Sequence, residues 1–489
     1  MARMSSFSVS YIDTIACTRL VLPVLASLLL AGCSFTTIGP DYKKPDTPLL
    51  RQAASSSLMT EALPSTLLSD EALPHDWWHM YQSSELDRLI REALRHNLDL
   101  RTALYNLMQS QAANKEVESQ QQPQFDINMQ PYYGHPSGLS ELQPDYVPPN
   151  TWHYNSGLQI SYQVDLFGQI KRAIESSQAE SEAAKAAYDL VKVNVVAETA
   201  RAWTDVCAAG VQIHTVQQSI NLQRQSARLT EQLVQAGRAG ELDNIRANAQ
   251  VASLEASLPP LLAEQENGYY RLATLTGDLP ENLPPRIRKC ATLPTLKKPL
   301  PMGDMRELLG RRPDIRQRER LLAASTAKIG VAMADLYPKI TLGFGASSAG
   351  LMQGIGEQDS RAWNLGPLIS WTVPNTGEVQ ARIEATRAGA GADYARFEKT
   401  VLNALQEVRT ALNNYVQELQ RQNSLKQEVA ARQNAAEQTR RLYTYGKVGY
   451  LDVLDAERTL ADSQLALVQS AGKLNSDQIA LFLALGGGW

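Results

Sequence analysis

The sequence predicts a mainly α-helical chain carrying a smaller share of membrane-type β-structure, built from two copies of one unit. Three observations lead there. The second half of the chain repeats the first, each half holds one very long proline-free stretch of helical composition, and each half holds a pair of short alternating segments.

The repeat comes first. Asp165-Leu-Phe-Gly-Gln-Ile-Lys-Arg-Ala-Ile-Glu falls on Pro374-Asn-Thr-Gly-Glu-Val-Gln-Ala-Arg-Ile-Glu, 209 positions on. At the same offset Gly237-Arg-Ala-Gly-Glu-Leu-Asp meets Gly446-Lys-Val-Gly-Tyr-Leu-Asp, and Leu272-Ala-Thr-Leu-Thr-Gly meets Leu481-Phe-Leu-Ala-Leu-Gly. Upstream the offset is 215, where Leu98-Asp-Leu-Arg meets Pro313-Asp-Ile-Arg and Pro123-Gln-Phe meets Pro338-Lys-Ile. The first copy therefore carries about six extra residues somewhere between 130 and 160. A period this long lies far above those of solenoids and propellers, so it marks a duplicated domain.

At 489 residues the chain exceeds one ordinary core, and its net charge of -4 offers no basic field, which argues against nucleic acid as a partner. The four cysteines, Cys17, Cys33, Cys207 and Cys290, are too few and too scattered for a disulfide framework. Cys207 in a helical pattern and Cys290 in a proline-rich linker read as free or packed thiols.

The N-terminus reads as an address. Arg3 and Arg19 precede the apolar run from Leu20 to Gly32, which is too short for a stable bilayer anchor. It ends in Leu30-Ala-Gly-Cys33, which resembles a bacterial lipobox; the plainer alternative is a signal peptide with an incidental cysteine. Acyl chains on Cys33 would anchor the chain without a spanning helix, and Ser34 in place of Asp favours outer-membrane sorting by resemblance to such lipoproteins. The region before the apolar run is long, so Met4 is an alternative start to Met1.

No other stretch is apolar enough for a spanning helix, but barrel strands need only about ten alternating residues. Four segments qualify. Phe125, Ile127 and Met129 alternate with polar residues, as do Leu158, Ile160, Tyr162 and Val164. In the second copy the apolar sets are Ile340, Leu342 and Phe344, then Ile369, Trp371 and Val373. Tyr132, Tyr133, Trp152, Tyr154, Trp363 and Trp371 sit near strand ends, where interfacial aromatics gather. Loops at roughly 131–156 and 346–363 would join each pair, and the length difference between the copies fits there. Alternation alone also permits soluble hairpins with one wet face.

The rest reads as helix. From Gly168 to Gln235 and from Gly377 to Thr444 the chain is rich in Ala, Glu, Gln, Arg and Leu. Each run would extend about 100 Å. Shorter runs at 85–121, 241–276, 304–335 and 450–485 flank them, and Pro259-Pro260 should break the second of these. Small-residue seams, Ala179, Ala183, Ala186 and Ala187 and then Ala385, Ala388, Ala392 and Ala395, suit close helix packing.

Four strands cannot close a barrel, and open edges cannot face lipid, so several chains must share one. Two chains would give eight strands around a bore filled by side chains, while three would give twelve around water.

The ordered motifs Gly39-Pro-Asp-Tyr-Lys-Lys-Pro, Trp77-Trp-His-Met-Tyr-Gln-Ser-Ser-Glu-Leu-Asp-Arg-Leu-Ile and Ala93-Leu-Arg-His-Asn-Leu-Asp-Leu continue with Asp165-Leu-Phe-Gly, Arg311-Arg-Pro-Asp-Ile-Arg and Leu451-Asp-Val-Leu-Asp-Ala-Glu. Together they resemble the outer-membrane efflux proteins of the TolC/OprM family, in the NodT-like lipoprotein branch. The resemblance covers nearly all of the sequence after Cys33. It implies a homotrimer with a 12-stranded β-barrel (four strands per chain), a long periplasmic α-helical barrel and an equatorial domain. It also implies a duct in the outer membrane, joined through a periplasmic adaptor to an inner-membrane pump, with no cofactor and no metal. The expected divisions are a signal peptide at 1–32, a lipidated N-terminal and equatorial segment at 33–84, a first duct repeat at 85–278, an equatorial linker at 279–303 and a second duct repeat at 304–489.

Two turns carry the expected site. Gly237, Arg238 and Gly240, and equivalently Gly446, Lys447 and Gly449, join each long helix to the next one, and glycines supply left-handed caps. These turns would dock the adaptor. Asp452 and Asp455 share one helical face just past a helix start and match the family's Asp-x-x-Asp constriction. Threefold symmetry would gather six such carboxylates into a ring that holds cations. Simple capping is the plainer reading, since Asp243 occupies the equivalent place in the first copy. Tyr443 matches a family tyrosine in the closed gate, while Val448 stands where some members carry an arginine. His75 and His79 have the spacing of a metal pair, but Trp77 and Trp78 favour packing there. No nucleophile elbow or phosphate loop occurs, so an enzyme is not expected. The rival from another class is a lipid-anchored periplasmic coiled-coil scaffold without a pore.

Overall fold

The structure is a computed structural model that describes residues 37–46, 51–52, 68–69, 71, 73–137, 145, 147–296, 298–303, 305–371 and 376–487. The expected signal peptide, Cys33 and Val373 lie outside the described residues.

Among the described residues the elements run in this order: β1 (Leu68–Ser69), α1 (Ser84–His96), α2 (Leu98–Glu118), β2 (Gln124–Gly134), β3 (Thr151–Val164), α3 (Gln169–Gln235), α4 (Glu241–Ala256) and α5 (Leu258–Thr276). After them come β4 (Leu300–Pro301), α6 (Met305–Arg311), α7 (Pro313–Ala334), β5 (Lys339–Leu351), β6 (Arg361–Ser370), α8 (Thr376–Thr444) and α9 (Tyr450–Ala484). The long helices α3 and α8 hold 67 and 69 residues, about 100 Å each.

The breaks between helices have local causes. Asn97 ends α1 and caps α2, its Oδ1 accepting the Leu100 N–H at 2.9 Å while its amide donates to the Leu275 carbonyl at 3.0 Å. The run expected at 85–121 is thus two helices. Arg312 stands at the equivalent break between α6 and α7, donating to the Ala484 carbonyl at 2.9 Å and to Asp314 and Glu407 at 2.7 and 2.6 Å. Pro259 falls in the first turn of α5, where its missing N–H costs nothing, and the helix before it ends at Ala256. The second copy has no prolines there, and α9 runs unbroken for 35 residues.

The chain forms two compact units. One comprises residues up to 42, 115–176 and 325–388. Its sheet has the order β2-β3-β5-β6, antiparallel throughout, so the strand pairs of the two copies are joined through β3 and β5. The strands are longer than alternation predicts: β2 reaches Gly134, β3 begins at Thr151 and β5 continues to Leu351. Trp371 lies just past the end of β6 and donates to the Leu336 carbonyl at 3.2 Å. Register puts Ile127, Leu158, Ala346 and Trp363 in one row on one face. The adjacent row on the other face holds Asn128, Gly157, Ser347 and Ala362. One face is therefore mainly apolar, and the other is built mainly of amides, hydroxyls and small residues.

The other unit comprises 43–114, 177–324 and from 389 onward. Its main core gathers Trp77, Tyr81, Leu86, Leu89 and Ile90 with Tyr269, Ile287, Leu300, Ile479 and Phe482. Trp77 stacks on Phe482, ring centres 4.6 Å apart, and β1 pairs in parallel with β4. In α3 the expected seam is buried at Ala179, Ala183 and Ala186. In α8 it is not. Ala385, Ala388, Ala392 and Ala395 are exposed, and the buried stripe is Ile383, Ala390, Phe397, Ala404 and Ala411. That stripe recurs every seven residues, the spacing that keeps one face of a helix on its neighbour.

Cys207 and Cys290 are not separate thiols. They form a disulfide between α3 and the linker after α5, with their Cα atoms 4.8 Å apart. The crossing is possible because Gly210 lacks a side chain; a Cβ there would collide with the Cys290 carbonyl.

Candidate functional site

The two glycine-containing turns are built alike. In the first, the Arg238 N–H donates to the Leu233 carbonyl at 2.8 Å and the Gly237 N–H to the Val234 carbonyl at 2.9 Å. In the second, Lys447 donates to Leu442 at 2.9 Å and Gly446 to Tyr443 at 2.8 Å. Both are Schellman motifs, which satisfy the last helix carbonyls and require a left-handed residue. Gly237 and Gly446 fill that place with φ of 68° and 69°. The second glycine of each turn does something else. Gly240 and Gly449 are extended, with φ of -88° and -76°, and serve as the N-caps of α4 and α9. The expectation of left-handed caps thus holds for the first glycine of each pair only. The Asp243 and Asp452 N–H groups then close the first turns by donating to the Gly240 and Gly449 carbonyls at 3.0 and 3.2 Å.

Between the turns lies a small core of Ala227 from α3, Ala247 from α4, and Tyr450 and Val453 from α9, with Val251, Tyr443 and Leu454 against it. It joins the two copies. The Tyr443 and Tyr450 rings sit 5.7 Å apart, and Gln223 donates to the Tyr450 hydroxyl at 3.4 Å. Burial pushes both phenols above their ordinary range, aided at Tyr443 by the nearby Asp243 carboxylate. The neighbouring hydroxyls, Thr230 beside Tyr443 and Ser226 and Thr230 beside Tyr450, pull the other way.

The expected gate residues divide. Asp452 is exposed and turns back on its own helix start, where its Oδ2 accepts the Gly449 N–H at 3.1 Å. Asp455, one turn on, is exposed and accepts from Arg458 at 2.9 Å. Among the described residues no hydrogen bond within the chain joins Tyr443 to either carboxylate; its surroundings are Tyr450, Thr230 and Asp243. Sequence reasoning missed the Arg440–Glu457 pair, 2.8 Å, which ties α8 to α9 behind the turn with Glu457 nearly buried. The opposite charges sit 17 positions apart on the two arms of a hairpin whose turn was already placed, and that spacing was the available signal.

Around the turns the chain exposes apolar side chains at equivalent places. Leu242 and Leu451, 209 positions apart, are each 56% exposed, and Ile245, Leu442 and Tyr445 lie exposed beside them. Arg238 and Lys447 are exposed at the turn tips. His79 is held by carboxylates, its Nδ1 2.7 Å from Asp76 and its Nε2 3.4 Å from Asp87, beside the buried Trp77.

Set beside known proteins, residues 89–278 and 305–487 match the family model described as outer membrane efflux protein. The two matched stretches follow the two repeats. Nodulation protein T of Rhizobium leguminosarum bv. trifolii is 27% identical over 476 residues, 96% of this chain and 98% of that one. The solvent efflux pump outer membrane protein SrpC of Pseudomonas putida is 29% identical over 486 residues, 96% of this chain and 98% of its own length. Among solved structures, the outer-membrane channel OprN is 36% identical with a TM-score of 0.84, covering 92% of this chain and 99% of that one.

Proposed function

The chain belongs to the outer membrane efflux protein family, and from that premise we propose that it works as a homotrimer, the exit duct of a tripartite efflux system. A periplasmic adaptor and an inner-membrane pump would deliver small-molecule cargo to it. The observation that carries the reading is the sheet. Four antiparallel strands with one mainly apolar and one mainly polar face end in two edges, β2 and β6, unpaired among the described residues. Lipid tolerates no open edge. Closing β6 of one copy on β2 of the next removes every edge, and three copies give twelve strands around a polar lumen.

The remaining assignments follow from this reading. Cys33 is the acylated residue. The core around Trp77, Ile287, Leu300 and Phe482 is the equatorial girdle, and the two duct repeats are 85–278 and 304–489. Asp452 and Asp455 contribute to a ring of six carboxylates at the periplasmic mouth, with Tyr443 holding the hairpin behind it. The turns around Gly237, Arg238 and Gly240 and around Gly446, Lys447 and Gly449 dock the adaptor. Their exposed Leu242 and Leu451 supply apolar contact in equivalent places, which supports repeated docking on one partner surface.

The test is electrical. Detergent-purified protein that migrates as a heat-modifiable trimer should open steady ion conductance in planar bilayers. A protein that stays monomeric and leaves bilayers silent would instead fit a lipid-anchored scaffold.

A further inference from the structure

One half of the disulfide, Cys207, sits where no oxidant of protein size can reach it in the folded chain. Cys207 is fully buried in the main core, on the face of α3 covered by α5. The packing around it is close: Gly268 of α5 meets Val206, where a Cβ would come within 2.8 Å of the valine methyl. Gly210, one turn past Cys207, leaves room for the linker backbone and for nothing larger. Only Cys290 is partly exposed. The second repeat makes the same long helix without a cysteine; Val416 stands 209 positions on from Cys207 and packs against the same core. The duplicated fold therefore does not need the bridge. The linker does, because it alone is fastened by it.

We propose that Cys207 and Cys290 are a modification site for a thiol–disulfide oxidase of the compartment where the chain folds, and that this oxidation precedes closure of α5 and the linker over α3. The proposal rests on the outer-membrane reading, which sends the chain through an oxidising periplasm where such bridges persist. One cysteine thiolate attacks the carrier's disulfide and forms a mixed disulfide, and the other thiolate displaces the carrier sulfur. Two protein thiols are oxidised, losing two protons and two electrons, and the carrier disulfide is reduced to a dithiol. Uncatalysed disulfide formation takes seconds to hours, whereas helices and hydrophobic contacts form in microseconds. Without a catalyst, packing wins and traps Cys207 as a buried thiol. The linker carries Ile287 and Leu300 into the same core as Trp77, so a chain trapped this way reaches the assembly step with that core unfastened.

The experiment counts thiols. Outer membranes from cells with and without the periplasmic thiol oxidase are denatured in a polyethylene glycol maleimide, before and after reduction, and trimer yield is read on the same samples. In oxidase-proficient cells the processed chain should take no tag until reduced, and then two. In oxidase-deficient cells it should take two tags without reduction and yield several-fold less trimer, with cystine in the medium restoring both. The Cys207→Ala/Cys290→Ala double variant should give the same trimer yield in both strains, since it has nothing to oxidise. Two free thiols in oxidase-proficient cells would overturn the bridge, and full bridging without the oxidase would overturn its partner. Neither result touches the channel reading, which stands or falls on the conductance of whatever trimer is recovered.

Discussion

Arg172, 4% exposed in its side chain, meets the exposed carboxylate of Asp41 at 2.6 Å. The same guanidinium donates to the carbonyls of Ile38 and Gly39 at 3.1 and 3.2 Å and to Glu175 at 2.6 Å. Beneath it the chain at Gly39, with φ of 96°, lies directly on Gly330 of α7, so neither position has room for a Cβ. One buried cation thus fastens the N-terminal strap to α3, which belongs to the first repeat, and the strap lies on α7, which belongs to the second.

The two partners of this pair should not be equal. Arg172→Ala removes a buried cation from two backbone carbonyls and the carboxylates of Asp41 and Glu175, at a cost of about 3 kcal/mol. Asp41→Asn disturbs a carboxylate that water already covers and should cost about 0.5 kcal/mol. Thermal midpoints of the purified protein would check the ratio. Equal losses would mean that Asp41 carries the strap.

Cys33→Ser should abolish acylation and weaken retention in the outer membrane without releasing all of the chain, because lipid is one anchor and the barrel the other. Radiolabelled palmitate and membrane fractionation read the two effects separately. Label on the variant would sink the assignment.

Asp452 and Asp455 should separate in experiment. Asp452 caps α9, so Asp452→Ala should cost about 0.5–1 kcal/mol of stability. Asp455 is exposed and pairs with exposed Arg458, so its loss should cost little. In a trimer both should raise single-channel conductance and weaken block by multivalent cations, and salt should screen the difference. Unchanged conductance and block in the double variant would leave Asp452 as a cap and Asp455 as a surface ion pair.

How much of this was legible depended on what the residues announce. Long helices free of proline announce themselves, and so does a turn that recurs 209 positions on. The strand ends did not. The outer part of β5 is Ala346-Ser-Ser-Ala-Gly-Leu351, small residues that alternate in space but hardly in hydropathy. The disulfide was hidden for a related reason: 83 residues separate its cysteines, and only the path of α5 and the linker brings them together. The surroundings of Tyr443 and Tyr450 were equally silent, since Ser226, Thr230 and Gln223 lie more than 200 positions upstream in the other copy. Capping was half legible, because Asp452 three residues past Gly449 is a cap by spacing, whatever else a trimer makes of it.

The left-handed glycines offer the sharpest separation of docking from folding. Beyond its chain neighbours, no atom of the described residues lies within 4 Å of where a Cβ would stand at Gly237 or Gly446, so a substitution there meets open space and is strained by its backbone angle. Valine at φ near 68° should strain each turn by about 1–2 kcal/mol. The strain falls on the turn, because the small core of Ala227, Ala247, Tyr450 and Val453 lies on the helices and the Arg440–Glu457 pair holds the hairpin behind it. Gly237→Val and Gly446→Val should therefore leave the trimer intact while weakening crosslinks to the adaptor and lowering efflux. Gly240→Ala and Gly449→Ala are the controls: both positions are extended, so alanine meets no left-handed strain and should lose only the N-cap preference, about 0.5–1 kcal/mol, while leaving crosslinking unchanged. Loss of trimer in the valine variants would mean that the turns serve folding. Normal crosslinking and efflux would move the docking surface away from both turns.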